Sequence, residues 1–230
     1  PRVLFSPKDL PEIRRRCTEL PIARLSLGRI KELADKKLSA LNTAQGVTYQ
    51  ALLDGTSIDV IPGLKGYESD GYTNAKGDEG SLYNILYGRA FVALIEEDTE
   101  KLKELGTVLS RLAAAHLISY QPGYPNKLTH DASGALGLAY DMLAQDMQDA
   151  ERRPIRKLLS RMTRFRQTDG TPTEIQENSS NWKTFHDHII LASLAIEGEE
   201  GYDPRVFEDN VPKLRDFFTR YGVFPSGCAH

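Results

Sequence analysis

What this sequence lacks first is an excess of positive charge: 29 Lys and Arg stand against 32 Asp and Glu, a formal balance of −3. A protein whose main work is gripping nucleic acid or an anionic membrane needs many basic residues in excess, so neither class is expected. Long apolar runs are missing too. None approaches the roughly twenty residues that a membrane-crossing helix requires, and the opening PRVLFSPKDL has no apolar core of the signal-peptide kind. An exported precursor would therefore have lost its signal. Cysteine is scarce: Cys17 and Cys228 lie near opposite ends, which leaves open both a pair formed in an oxidising compartment and two free thiols. An apolar share of 40% is that of an ordinary core-forming chain, and 230 residues suffice for one large domain or two small ones. The last residues, YGVFPSGCAH, carry turn signals but neither helix punctuation nor a polar tail, so the chain reads as cut short there.

Helical signals begin at once. In SPKDLPEIRRRC, Ser6 suits a cap, Pro7 the first helical position and Asp9 the positive end of the helix. The helical pattern continues to about Leu41, broken near Pro21. Residues Thr43 to Gly80, rich in Gly, Tyr, Asp and Thr, read as irregular with at most a weak strand near Ile58 to Ile61. After Gly80 one plan occurs three times: a helix of small and apolar residues, an acidic break, then a more amphipathic helix. The breaks fall after Glu96, near Gln148 to Ala150, and at Gly198 to Pro204. Small residues at Ala90, Ala93, Gly134, Gly137, Ala139, Ala192, Ser193 and Ala195 allow neighbouring backbones to approach closely. Each unit thus supplies an inner and an outer helix, and the fold class is all-α. Stacked hairpins of this kind either run in a line or curve into a toroid.

The chemistry-bearing residues gather before the third inner helix, in ENSSNWKTFHDHIILASLAIEGEE, residues 177–200. Asn181 or Ser180 can cap that helix. A helix N-terminus also suits a carboxylate, and an Asn amide there donates hydrogen bonds without adding charge. Trp182 offers either a core aromatic or a flat face on which a sugar ring stacks. His186 shares a face with Trp182, whereas His188 returns to the face of Asn181 about 10 Å further along. Two imidazoles two residues apart on one helix point to different sides, so the pair alone makes no metal site, and no metal or cofactor is expected. His130 holds the corresponding place before the preceding inner helix, as a capping residue or as a group facing the same groove. Arg153, Lys157, Arg161 and Arg164 form one stripe, read as a solvated outer face.

Three stretches carry a family resemblance. PRVLFSPKDLPEIRRRC is similar to the opening of the heparinase II/III-like polysaccharide lyases, GLAYDML resembles their inner-helix Ala-Tyr-Asp signature, and SSNW followed by HDHIILASLAIEGE resembles the segment in which a polar residue precedes an Ala/Leu-rich inner helix. The resemblance implies an incomplete (α/α) toroid of stacked antiparallel helix hairpins over residues 1–230, normally followed by a β-sandwich domain that these residues do not include. It implies a secreted or periplasmic enzyme that cleaves a uronate polysaccharide by β-elimination, with Asn181 neutralising the uronate carboxylate. Trp182, His130, His188 and His230 are then the candidates for contact with the anionic poly- or oligosaccharide. The family's tyrosine would fall a few residues beyond His230, and a further histidine is supplied from the same region. Members with Asn at this position often have His directly after it, where this chain has Trp182. A uronyl C5-epimerase, a toroid glycoside hydrolase and a carbohydrate-binding helical repeat without chemistry are the competing readings; the hydrolase would need two facing carboxylic acids, and no such pair stands out.

Overall fold

The structure, a computed structural model, describes residues 3–39, 49–55, 82–119, 133–168 and 189–220. Among these residues every regular element is helical: α1 (Leu10–Glu19), α2 (Pro21–Ser39), α3 (Tyr49–Asp54), α4 (Leu82–Glu96), α5 (Thr99–Ser119), α6 (Ser133–Leu143), α7 (Asp149–Thr168), α8 (residues 189–195) and α9 (Pro204–Arg220). The all-α class read from periodicity is the class observed.

Composition decides which helices lie inside. Helix α6, SGALGLAYDML, is buried on nearly every side, and its small residues let neighbours close on it. Gly137 marks a close backbone approach: a Cβ there would lie 2.9 Å from the Ala192 Cα, so α6 and α8 touch backbone to backbone. Helix α4 packs between α2 and α6, giving an inner row α2, α4, α6, α8. Helix α5 packs between α3 and α7, and α9 packs on α7, giving an outer row. Leu86, Leu105, Leu109, Leu136, Leu143 and Ile155 fill the space between the rows with no exposure, and burying each such side chain is worth about 1.5–3 kcal/mol. The helices expected near Tyr83 and Ser133 do run side by side, each packed against its hairpin partner, and the third is described from residue 189 onward.

Contacts between side chains fix the directions. Thr107 donates to Glu151 at 3.0 Å and Arg161 donates to the Leu117 carbonyl at 3.3 Å. Both partners advance ten residues between these contacts, about 15 Å, so α5 and α7 run parallel. Two residues join α4 to α5, and Tyr83 at the start of α4 meets His116 near the end of α5, so that pair is antiparallel. Arg153, Lys157 and Arg161 are exposed on α7, as the solvated-face reading required.

Three local expectations are corrected. Helix α1 starts at Leu10, not near Pro7: Asp9 turns back to accept from the Ser6 amide and hydroxyl, both at 2.8 Å, and the later start keeps Pro11 in the first turn, where its missing N–H is harmless. Part of the stretch read as irregular is α3, held because Leu52 is buried and Arg111 donates to the carbonyls of Leu52, at 2.5 Å, and Leu53. Those are carbonyls that a short helix leaves unpaired at its C-terminal end. Helix α7 begins at Asp149, inside the expected break, where Glu151 reaches back over the start: its carboxylate accepts from the Gln148 amide at 3.0 Å.

Candidate functional site

Asn181, Trp182, His130, His188 and His230 all lie outside the described residues. What is described is the set of helix ends that bracket them. Residues 120–132, with His130, leave the C-terminal end of α5 and enter the N-terminal end of α6; residues 169–188, with Asn181, Trp182 and His188, lead from the C-terminal end of α7 to α8. Because α5 and α7 are parallel, the C-terminal ends of both helices lie at the same end of the array. The N-termini of α4 and α6 lie there too and direct the positive ends of their dipoles to it.

A buried polar pair stands at this end. Tyr83 opens α4 and is fully buried; His116, near the end of α5, is 1% exposed, and Ser133, the first residue of α6, is also fully buried. The Tyr83 hydroxyl shares a hydrogen bond with His116 Nδ1, the two ring centroids being 5.5 Å apart. Burial pushes the His116 pKa down to about 3, so the imidazole is neutral at neutral pH. A neutral phenol–imidazole pair can sit in an apolar interior without an unpaired charge. It fixes the start of α4 against the end of α5 and so holds one wall of this end. Sequence reasoning passed over His116; the signal was there, a lone histidine after three alanines on an otherwise apolar helix face.

The signature residues Tyr140 and Asp141 act elsewhere. Tyr140 is the eighth residue of α6, about 10 Å along the axis from Ser133. Its hydroxyl donates to Glu199 Oε2 at 2.6 Å, and Asp141 Oδ2 accepts from the Val3 amide at 3.1 Å. Arg156, buried on α7, donates to Glu199 at 3.2 Å and to Asp149 at 2.8 Å, while Arg152 stands 3.9 Å from Glu199. Burial, then the bond to Glu199, pushes the Tyr140 phenol well above its ordinary value; the hydrogen bond from Arg156 and its charge hold Asp149 below the usual carboxylate range. The motif is therefore a clamp: it ties the chain start and the 196–203 turn to α6 and α7, at the end opposite to the one bracketing Asn181.

Among the described residues, no group of three His, Cys, Asp or Glu side chains converges as a metal site would, and no helix is long and apolar enough to cross a membrane. Compared with models of protein families, with curated proteins and with solved structures, the chain finds no match.

Proposed function

We propose that the chain is the helical catalytic domain of a polysaccharide lyase that cleaves uronic-acid-containing polysaccharide by β-elimination. In this reading the two helix rows curve into an incomplete (α/α) toroid, with the starts of the inner helices opening onto a groove. One observation carries it: the polar segment Asn178 to Trp182 and the His130 segment each lie in the chain between an outer helix and the next inner one, and the helix ends that bracket them belong to the same end of the array. The resemblance of PRVLFSPKDL, GLAYDML and SSNW to the heparinase II/III-like lyases supplies the reaction.

The chemical demand is specific. The C5 proton of a uronic acid is only weakly acidic while the neighbouring carboxylate keeps its charge, and removing it builds enolate-like charge on that carboxylate. The amide of Asn181 and helix-end N–H groups stabilise that charge, as oxyanion-type donors do. A tyrosine takes the C5 proton, and a tyrosine or histidine returns one to the departing O4. Trp182, His130, His188 and His230 contact the sugar.

The test uses the natural protein on uronate polysaccharides, reading the absorbance of the conjugated unsaturated uronide. Asn181→Ala is expected to lower kcat by about 10²–10³ while binding changes less. If Asn181 only caps a helix, the same variant loses about 1 kcal/mol of stability and keeps its turnover, and Asn181 leaves the mechanism. Inversion at C5 without an unsaturated product would replace the lyase reading with the epimerase one.

A further inference from the structure

We propose that α2 is a self-association surface, on which a second copy of this chain packs its own α2 antiparallel about a two-fold axis at Gly28. The proposal does not depend on the lyase reading. It starts from an uneven distribution: of the large apolar side chains that stay exposed among the described residues, all but Leu4 lie between Leu20 and Leu33. Leu25, 66% exposed, stands beside Gly28 on the helix surface, and Ile22, 71%, and Leu33, 53%, continue the exposed side beyond it. The opposite side is already in use. Leu27 packs on the core there, and Ala34 and Leu38 are buried.

Gly28 locates the contact. A glycine inside a helix costs about 1 kcal/mol relative to alanine, so a retained one calls for a packing reason. Gly106 and Gly137 have one within the chain, since an added Cβ would lie 2.8 Å from Met147 and 2.9 Å from Ala192. At Gly28 a Cβ would meet nothing within 4 Å. Its missing side chain instead floors a shallow groove of about 580 Å³, walled by Pro21, Arg24, Leu25, Arg29 and Glu32. A helix laid in that groove comes close to the backbone there, as helices do over small residues.

Charge selects the occupant. Arg24 and Glu32 stand four residues before and four after Gly28, about 6 Å each way along the axis. In an antiparallel pair crossing at Gly28, Arg24 of each copy is level with Glu32 of the other, so one surface supplies both charges twice. This self-complementarity is what an isologous two-fold interface requires. A parallel partner, or a helix of uniform charge, would leave one of the two signs unmatched. Leu25 and the aliphatic stem of Arg29 cover the flanks.

The experiment is sedentation of the natural protein by analytical ultracentrifugation over a micromolar to millimolar concentration series, with four variants. The expected wild-type result is a concentration-dependent monomer–dimer equilibrium. Arg24→Glu and Glu32→Arg each place like charges together twice and are expected to weaken dimerisation at least about fivefold, and the double variant R24E/E32R to restore it. Gly28→Gln is expected to abolish the dimer while raising the melting temperature of the monomer, because nothing in the chain opposes the side chain and helix propensity improves. A wild-type chain that stays monomeric throughout overturns the proposal, as it would if another protein or another segment of the same protein covered α2. A dimer that survives both single charge reversals, or survives Gly28→Gln, uses another face and overturns it equally.

Discussion

At one end of the helix rows the chain turns back within a few residues, through Glu97–Asp98, residues 144–148 and residues 196–203; at the other, thirteen residues separate α5 from α6 and twenty separate α7 from the described start of α8. The short turns are saturated with local partners. Asp98 accepts from the Lys101 amide at 3.0 Å, Glu151 from that of Gln148 at 3.0 Å and Asp203 from that of Arg205 at 3.1 Å, so α5, α7 and α9 each start with a side-chain cap. Gly201, at φ +96°, lets the last turn run close against Ser160, where a Cβ would come within 3.0 Å. Above these caps lies the charged network of Arg156, Glu199, Asp149 and Tyr140. The opposite end holds a neutral pair, Tyr83 and His116, and the helix ends that lead to the polar segments. The difference is one of means: one end fixes the hairpins by charge and capping, the other fixes α4 against α5 by a buried neutral pair.

The strongest way to break this comparison is at Arg156. Substituting Met keeps most of the apolar stem but strands Glu199, which is 17% exposed, and removes a partner of Asp149. Breaking a buried pair from one side costs about 3–5 kcal/mol; Arg152 nearby and the Tyr140 hydroxyl soften the loss, so about 3 kcal/mol is expected in urea unfolding. A loss under about 1 kcal/mol would mean that the charges at this end decorate the fold without holding it.

Acid sharpens the comparison, because the two ends fail in different pH windows. The folded pKa of His116, about 3, lies below its ordinary 6.5, so the unfolded chain takes up the proton first. Stability from this source is complete above about pH 6.5 and falls by about 1.4 kcal/mol per unit as the pH drops from there towards 3. Between pH 6.5 and 4.5 the expected loss is about 2 kcal/mol, and His116→Leu should flatten that part of the profile. Asp149, held low by Arg156, titrates in the same direction but in a lower window: its share is present above its ordinary 3.8 and is lost only as the pH falls below that. A wild-type profile flat down to pH 4.5 would contradict the burial of a neutral histidine. Tyr83→Phe, which removes only the hydroxyl, should cost about 1 kcal/mol at neutral pH by the same unfolding assay.

How much of this could be read beforehand depended on the range of the signal. The inner helices were legible because small apolar residues run through Ala90, Gly137 and Ala192 without polar interruption, and the outer ones because Arg153, Lys157 and Arg161 recur on one face. The bond from the Gln148 amide to Glu151 is local too, yet it went unread, and the break was placed near Gln148 to Ala150, where the helix already starts. Helix α3 was hidden: six residues in a Gly-rich region have no periodicity to speak of, and what holds them is Arg111, nearly sixty residues away in sequence. The clamp role of Tyr140 was hidden for the same reason, since its partner Glu199 is brought near only by packing α6 beside α8. His116 looked like any lone histidine until its neighbour across the hairpin was known. The residues proposed for chemistry, Asn181 and Trp182 foremost, were singled out by composition, because amides and imidazoles crowd the start of an apolar stretch, and by the resemblance of SSNW to the family segment.

The smallest expected effect tests whether the short turns are optimal or merely adequate. Helix α4 ends in a Schellman arrangement: the Asp98 amide donates to the Ala93 carbonyl at 2.9 Å, and Glu97 takes the left-handed conformation, φ +60°, usually given to glycine. That conformation costs a non-glycine residue about 1–2 kcal/mol. Two terms oppose replacing it. Glu97→Gly loses the ion pair with Arg14, 2.8 Å long but 71% exposed on the Glu97 side, worth about 0.5 kcal/mol, and it frees the unfolded chain by about 0.4–1 kcal/mol. Arg14 keeps its other bond, to the Leu94 carbonyl at 2.9 Å, so the helix end stays capped. The balance favours the glycine variant by about 0.5 kcal/mol, read as a rise in urea midpoint at unchanged slope. A fall of 1 kcal/mol or more would show that the Arg14–Glu97 pair holds α1 to the turn more firmly than an exposed pair should, and that charge at this end matters even where water reaches it.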